Sequence, residues 1–304
     1  MNNINGTNPS VTDSANSPLA ASSASQGVQA EGTHELFSAV SLRGMPIHNV
    51  TKSQTVNHII SSLNRGLGGW VVTPNLDILR RFRSSVSFRN LMATSSLNVA
   101  DGMPLIWASR VKGNPLPERI NGTDLMVDVC EAAARADKTI FLLGGNPGSA
   151  EKAAANMKGA FPQLKVAGCF CPEFGFESSM SNIQTIAQQL DATKPDIVFV
   201  GLGSPKQDVL INMLRLQFPK IWWLGVGVSF SFLADEMPRA PEWAKSNGLE
   251  WLYRLFAEPK RLFRRYLIEG IPFFVSTLLV CAYERLWSKP EPRPIQNLRP
   301  AADR

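Results

Sequence analysis

Short apolar runs alternate with helical patterns along most of the chain, and this alternation limits the fold more strongly than any other feature of the sequence. Each run is short enough for a strand that is buried on both faces, and each is followed by a loop-forming residue. The four clearest runs are residues 70–73, 139–143, 196–200 and 221–224. Helical patterns cover residues 123–136, 149–161, 178–190 and 205–218, with Thr123 as the predicted N-cap of the first. The alternation predicts an α/β fold with an open, doubly wound, Rossmann-like and mostly parallel sheet.

Two changes in composition divide the 304-residue chain. Residues 1–36 are rich in Ser, Ala, Asn, Thr and Gly and poor in apolar side chains, which predicts a disordered N-terminal arm. Residues 239–304 mix Trp, Leu and Arg, which predicts a helical appendage and tail after an α/β domain at 37–238. The apolar stretch 271–282 is shorter than the roughly 18–20 residues of a spanning helix. We therefore expect it to lie on a membrane or to pack on the domain.

The positive charge is concentrated in the C-terminal part of the chain. Residues 239–304 contain 12 Lys and Arg against 7 Asp and Glu, and the whole chain has a net charge of +6. Anionic lipid, nucleic acid and pyrophosphate are all attracted by such a segment. Its apolar, tryptophan-rich neighbours favour an anionic membrane surface over nucleic acid as the partner.

The cysteines and the first residues of the chain indicate the compartment. The four cysteines fit neither a zinc spacing nor a disulfide framework, which is typical of reduced thiols. Residues 1–42 have neither the charged start nor the apolar centre of a signal peptide. We expect a cytoplasmic protein that is peripheral on the inner face of the cytoplasmic membrane.

The loops that follow the apolar runs are the places to search for a site, because ligands of open α/β sheets bind beyond the carboxyl ends of the strands. Three of these loops are rich in glycine, which suits close approach to a nucleotide diphosphate, although such turns also serve simply to reverse the chain. Neither the dinucleotide fingerprint nor the Walker loop occurs, which disfavours redox enzymes and NTPases. The candidate nucleotide-binding glycines are Gly144, Gly145, Gly148, Gly201, Gly203, Gly225 and Gly227.

A carboxylate is the expected general base, because all three histidines precede the first confident strand. Asp101 is the best candidate, since it follows an apolar stretch and precedes Gly102 at a strand-to-loop junction. An Asp-Gly pair also serves as plain turn chemistry, and this alternative stays open. Asp77 ranks lower, because it is placed to cap a helix or to pair with Arg80 or Arg81.

Arg119 lies in an irregular segment and is placed to reach a phosphate or a sugar, although a surface salt bridge is the commoner fate of an arginine. No two aspartates stand one residue apart, so the Asp-x-Asp metal site of many sugar-nucleotide transferases is missing. Metal-free catalysis, with helix N-termini and arginines stabilising the leaving diphosphate, is therefore expected.

Six ordered motifs give the chain a specific resemblance over roughly residues 37–265. They are 73–75, 100–102, 117–125, 141–148, 201–207 and a last one made of 239–241 with 248–254. The chain resembles the WecG/TagA/CpsF family, also called glycosyltransferase family 26. The resemblance implies an inverting, metal-independent and cofactor-free transfer of a sugar from a UDP-sugar donor to a polyprenyl-diphosphate-linked acceptor.

The resemblance also implies roles for individual residues. Asp101 would be the catalytic base, and Thr73, Arg119 and Gln207 would belong to the catalytic set. The remaining matched or appendage residues, which would bind donor or substrate, are Asn75, Lys206, Arg254, Arg261 and Arg265.

Segments 171–177 and 101–107 look most like the exopolysaccharide branch of the family, which favours UDP-glucose as donor. Two alternatives remain. One is a transferase of N-acetylmannosamine, or its uronic acid, from UDP to another surface polymer. The other is a non-catalytic sugar-nucleotide-binding scaffold subunit. The sequence leaves a homo-oligomer open.

Overall fold

The computed structural model describes residues 37–241, 243–244, 250–257 and 259–287. The predicted N-terminal arm, residues 1–36, lies outside the described residues, and so does the tail from residue 288 onward. The predicted domain boundary at residue 238 stays a prediction.

The described chain begins with a β-hairpin that the sequence analysis did not predict. Strands β1 (Ala39–Leu42) and β2 (Met45–His48) pair antiparallel. The two residues between them, Arg43 and Gly44, have φ angles of 51° and 88°, as a two-residue hairpin turn requires. Alternate side chains of both strands are buried, so the hairpin covers part of the core.

Six parallel strands form the central sheet, in the order β4-β3-β8-β7-β5-β6. The strands are β3 (Gly69–Val72), β4 (Leu97–Asn98), β5 (Thr139–Gly144), β6 (Lys165–Phe170), β7 (Ile197–Gly201) and β8 (Trp222–Gly225). The four predicted strands are confirmed as β3, β5, β7 and β8. They are continuous apolar runs because both faces of a parallel sheet are covered by helices.

The helices that follow these strands are α1 (Lys52–Asn64), α2 (Leu76–Ser84), α3 (Val86–Met92), α4 (Met103–Lys112), α5 (Gly122–Arg135), α6 (Ser149–Ala160), α7 (Met180–Thr193), α8 (Lys206–Leu214) and α9 (Ser229–Leu233). Two separate buried clusters lie on the two faces of the sheet. Alternate residues of each strand enter different clusters: Val198 and Val200 join one, and Ile197 and Phe199 join the other. The hairpin and α2, α3, α4, α7 and α8 cover the first face, and α1, α5, α6 and α9 cover the second, which confirms the doubly wound, Rossmann-like fold.

The predicted cap of α5 was wrong by two residues. The N-cap is Asn121, whose side-chain oxygen accepts a hydrogen bond from the backbone N–H of Thr123 at 2.9 Å. The Thr123 hydroxyl lies 2.9 Å from the Ser229 hydroxyl instead, so a tertiary contact occupies the group that the local pattern assigned to capping.

The chain ends in a set of packed helices, here called the C-terminal helices: α10 (Glu250–Ala257), α11 (Pro259–Phe263), a π-helical turn (Arg264–Gly270) and α12 (Ile271–Trp287). Pro272 has no N–H to donate to a regular helical ladder, and the π-helical turn lies directly before it. The turn and α12 form a continuous helix of 24 residues that is long and apolar enough to cross a membrane, by length and composition alone. The apolar run 271–282, from which the sequence expectation was made, is the middle part of this longer helix.

Helix α12 packs on α4, as one of the two expectations for this segment required. Thr277 and Cys281 are buried there, and Lys112 of α4 pairs with Glu284 at 2.5 Å. The opposite face of the helix carries an exposed apolar stripe at Ile271, Val275, Leu279, Tyr283 and Leu286.

Candidate active site

Two loops at the carboxyl edge of the sheet hold each other in place. In the loop after β3, the Asn75 side-chain oxygen caps α2 by accepting hydrogen bonds from the backbone N–H groups of Asp77 and Ile78, both at 3.1 Å. In the loop after β4, the backbone N–H of Asp101 donates to the carbonyl of Pro74 at 2.8 Å. These bonds fix the backbone of Asp101 beside the start of α2.

A cavity of about 230 Å³ lies between these loops and the C-terminal helices. It brings together four residues that the sequence analysis singled out, which are Asn75, Asp101, Arg119 and Arg265. Its apolar wall comes from α4 and the C-terminal helices and contains Met103, Trp107, Trp251, Tyr266, Ile271 and Phe274. Charged groups and aromatic rings therefore face one enclosed space.

Arg119 joins the core of the protein to the C-terminal helices. Its Nη1 lies 3.2 Å from Oε2 of Glu250, and both side chains are largely buried. The salt bridge that the sequence left open for Arg119 is therefore present, and the same arginine lines the cavity.

Asp77 is surrounded by three arginines. Its carboxylate oxygens lie 3.0 Å from Arg80, 3.3 Å from Arg81 and 3.1 Å from Arg265. Burial opposes ionisation of this carboxyl group, but the guanidinium of Arg265, together with those of Arg80 and Arg81, outweighs it and lowers the pKa of Asp77. The predicted pairing with Arg80 or Arg81 is confirmed for both.

The three glycine-rich loops, 144–148, 201–207 and 225–227, form a second group on the same edge, here called the glycine loops. The backbone N–H of Gly145 donates to the carbonyl of Gly201 at 2.8 Å. Oε1 of Gln207 accepts from the N–H groups of Gly203 and Gly227, both at 3.1 Å. A Cβ on Gly225 would lie 2.5 Å from Gln207 Nε2, so a larger residue there would displace the Gln207 side chain.

Thr73 and Lys206, like Gln207 and the predicted glycines, lie outside the cavity lining. Thr73 directly follows β3, and a Cβ built on Gly122 would come within 3.6 Å of its hydroxyl oxygen. Lys206 starts α8, pairs with Glu177 and lies with its Nζ 5.0 Å from the centre of the Phe174 ring. The side chains of Arg254 and Arg261 lie outside the described part of the structure.

The two groups of loops meet at the start of α5. Asn121 lines the cavity, and the Thr123 hydroxyl contacts Ser229, directly after the glycine loops. A ligand that spans both groups would therefore cross the first turn of α5. Within the described residues, no group of three or more His, Cys, Asp or Glu side chains is arranged to hold a metal ion.

Comparison with known proteins identifies the family. The family model described as glycosyl transferase WecG/TagA/CpsF matches residues 40–286. The chain belongs to this family. It is a glycosyltransferase.

Relatives of this glycosyltransferase carry more specific names. A protein of Bacillus spizizenii is 29% identical over 236 residues, which cover 77% of this chain and 88% of the relative. A Bacillus subtilis protein is 29% identical over 71% of this chain and 81% of its own length. A Staphylococcus aureus protein is 29% identical over 78% of this chain and 90% of its own length. Each is an N-acetylglucosaminyldiphosphoundecaprenol N-acetyl-beta-D-mannosaminyltransferase.

These names correct the expected donor. UDP-glucose and exopolysaccharide synthesis were wrong as the main interpretation, because the relatives transfer N-acetylmannosamine. Segment 171–177, which motivated that interpretation, does not line the cavity. In segment 101–107, Met103 and Trp107 belong to the apolar wall, where side chains carry little information about a polar sugar.

Several residues of the glycosyltransferase site were missed by sequence reasoning. Glu250 and Trp251 lie within the matched motif 248–254, so their position in the motif was an available signal. Trp107 and Phe274 had no such signal, because their ring contact, with centroids 5.9 Å apart, depends on how α12 packs on α4.

Proposed function

We propose that this glycosyltransferase transfers N-acetylmannosamine from UDP-N-acetylmannosamine to an N-acetylglucosaminyl diphospholipid of the undecaprenyl type, with inversion and without a metal ion. One observation carries the proposal: Asp101 lines the same cavity as three arginines and an aromatic wall. The relatives' acceptor joins a sugar through a diphosphate to a long apolar chain, and this cavity offers a carboxylate for the attacking hydroxyl group of the sugar and an apolar wall for the chain.

Asp101 is the proposed general base. Its carboxylate removes the proton from the attacking hydroxyl group of the acceptor, whose oxygen forms a bond to the anomeric carbon of the donor sugar. The bond from that carbon to the diphosphate breaks at the opposite face, and its electron pair leaves with UDP. A single displacement inverts the anomeric centre, so an α-linked donor yields the β-mannosaminyl linkage in the relatives' names.

Arg119 and Arg265 are proposed to stabilise the negative charge that develops on the departing diphosphate, because both line the cavity that holds Asp101. The glycine loops and Lys206 are proposed to hold the nucleotide on the other side of the α5 N-terminus. In this proposal Gln207 acts through the loops that it joins, since its side-chain oxygen already accepts two backbone N–H groups.

The apolar part of the acceptor is proposed to reach the cavity along the C-terminal helices. Ile271 and Phe274 line the cavity, and Ile271 also begins the exposed apolar stripe of α12. A stripe of this kind, with basic residues nearby, is typical of a segment that binds a membrane surface. We therefore propose a peripheral association with the cytoplasmic membrane face, with α12 in contact with lipid.

Transfer assays with a panel of UDP-sugars test the proposal. The panel contains UDP-N-acetylmannosamine, its uronic acid and UDP-glucose, each with a synthetic N-acetylglucosaminyl diphosphoprenol, with and without EDTA. We expect EDTA-resistant transfer from UDP-N-acetylmannosamine alone. Transfer from the uronic acid derivative alone would change the donor, and loss of all transfer in EDTA would overturn the metal-free mechanism.

Flotation with vesicles tests the membrane contact. Leu279→Glu places a charge in the centre of the exposed stripe and should reduce binding to vesicles that contain anionic lipid by severalfold. Leu216→Glu, at an exposed apolar residue after α8, is the matched control and should bind as the unmodified chain does. Equal binding by all three proteins would remove α12 from the interface.

A further inference from the structure

Asp77 is an acidic side chain beside the cavity that contacts three arginines. It lies in the first turn of α2, where its own helix stabilises a negative charge, and its side chain is only 10% exposed. Three guanidinium groups contact it, two from α2 and one, Arg265, from the π-helical turn. Asp77 and Arg265 both line the cavity.

The ions around Asp77 do not balance. Glu269, the second carboxylate of this group, pairs with Arg80 at 2.7 Å and with Arg264 at 3.0 Å. Two carboxylates are thus divided among four arginines, which leaves an excess of positive charge within this group of ions. Nη2 of Arg265 lies 3.1 Å from Asp77, while the side chain of Arg265 is 40% exposed and lines the cavity, so its guanidinium is held on one side and keeps donor groups for a ligand.

We propose that Asp77 is a positioning residue that holds Arg265 at the cavity wall to receive the diphosphate of the donor. This inference rests on the proposed function, in which Arg265 stabilises that diphosphate. A free arginine side chain has many rotamers, and fixing one of them before the ligand arrives removes part of the ordering cost from binding. Because Asp77 is shared by three guanidinium groups, it orients Arg265 without neutralising it.

A purely structural role for Asp77 makes a different prediction. If the ion pair only fastened the C-terminal helices to α2, the neighbouring pair between Arg80 and Glu269 would serve the same purpose. Glu269 does not line the cavity. Glu269→Gln is therefore the matched control. It removes a carboxylate that also joins the C-terminal helices to α2, and it leaves the pair of Asp77 and Arg265 in place.

The test is a double-mutant cycle read as UDP affinity by titration calorimetry, on the full chain. We expect Asp77→Asn and Arg265→Gln each to weaken UDP binding by about tenfold, the scale of one charge-assisted hydrogen bond. The double variant should bind no more weakly than Arg265→Gln alone, because Asp77 acts through Arg265. Glu269→Gln should stay within about twofold of the unmodified protein on the same scale.

Three results would overturn the inference: unchanged or tighter UDP binding by Asp77→Asn, losses that multiply in the double variant, or an equal loss in Glu269→Gln. If thermal melting shows that Asp77→Asn is not folded, the variant Arg265→Lys provides the test instead. It keeps a charge for Asp77 but loses the planar donors, so UDP binding should still weaken severalfold, and unchanged binding would overturn the inference.

Transfer is assayed separately. A protein that binds UDP and obeys the cycle but transfers no N-acetylmannosamine refutes the proposed function and leaves the role of Asp77 intact.

Discussion

The glycine loops and the cavity lie on the same edge of the sheet, yet they are built in opposite ways. In the glycine loops, backbone groups bind one another and the buried side chain of Gln207. Around the cavity, charged side chains of the core pair with residues of the C-terminal helices, as Arg119 does with Glu250. The first region depends on close backbone packing, and the second depends on ion pairs between distant parts of the chain.

This difference separates two kinds of substitution. A change in the glycine loops removes bonds that hold the fold together, so it should be visible first in the free energy of unfolding. A change at the cavity removes groups that face a ligand, so it should be visible first in turnover or in substrate affinity.

The largest expected effect belongs to Asp101. Asp101→Asn keeps the size of the side chain but removes the base, so kcat should fall by roughly 10²–10⁴-fold. Affinity for UDP and the melting temperature should change little, and Asp137→Asn, at an exposed surface ion pair with Lys165, should leave all three quantities unchanged. Near-normal turnover would remove Asp101 from the role of base.

Asp208 tests whether the glycine loops respond to pH through stability. Burial raises the pKa of this carboxyl group from 3.8 to about 6, although Ser204 and Arg81 partly oppose the shift. The folded state therefore binds the proton more tightly than the unfolded state, and stability should fall as the pH rises from about 4 to about 6, by up to about 3 kcal/mol. Urea unfolding at pH 4.5 and at pH 7 measures this fall.

Asp208→Asn should remove that pH dependence and increase the stability at pH 7. The exposed Asp191→Asn serves as the control and should retain the pH dependence of the unmodified protein. The difference between the two proteins decides, because the lowered pKa of Asp77 contributes with the opposite sign; an equal pH dependence in Asp208→Asn and in the unmodified protein would show that Asp208 is not held in its protonated form.

Gln207 tests the comparison of the two regions through the stability of the fold. Gln207→Leu leaves two half-buried backbone N–H groups without their acceptor, which should lower the free energy of unfolding by about 1 kcal/mol in urea titrations. Gln188→Leu, on the exposed face of α7, should cost far less. If Gln207→Leu unfolds normally yet loses transfer, Gln207 contacts the substrates and the distinction between the two regions fails there.

The smallest expected effect concerns the apolar wall of the cavity. Trp107→Ala should raise KM for a long-chain prenyl acceptor by about tenfold, because apolar contact area is lost, and should leave a short-chain acceptor unaffected. Phe174→Ala, at a fully exposed ring outside the cavity, is the control. An equal rise in KM for both acceptors would assign Trp107 to the sugar or the diphosphate.

The sheet could be predicted closely from the sequence, because a strand buried on both faces must be a short apolar run. The ranges 139–143 and 221–224 match β5 and β8 to within one residue at each end. Strand β4 was not delimited, since two residues carry no periodicity. The cap of α5 was misassigned because the decisive contact of Thr123, with Ser229, is 106 residues away in sequence.

The sequence predicted which residues lie at the candidate site, but it did not predict which residues they contact. Motif order placed Asn75, Asp101 and Arg119 on one edge, where the structure has them. The partner of Arg119 and the aromatic wall depend on how the C-terminal helices pack, which no local pattern encodes. Of the two segments used to infer the donor sugar, 171–177 lies outside the cavity, and 101–107 contributes Asp101 together with the apolar Met103 and Trp107.

The order of the strands has a consequence for how the protein is made. In the described sheet, the pair β3 and β4 is joined to β7, β5 and β6 only through β8. Strand β8 is the last of these strands to leave the ribosome, so a growing chain holds two unconnected parts of the sheet from the synthesis of β5 until that of β8. The C-terminal helices, which line the cavity together with Asp101, are synthesised later still. The proposed active site is therefore the last part of the described molecule to be completed. A chain that is interrupted before the C-terminal helices contains the proposed base, Asp101, but lacks the residues of those helices that line the cavity with it.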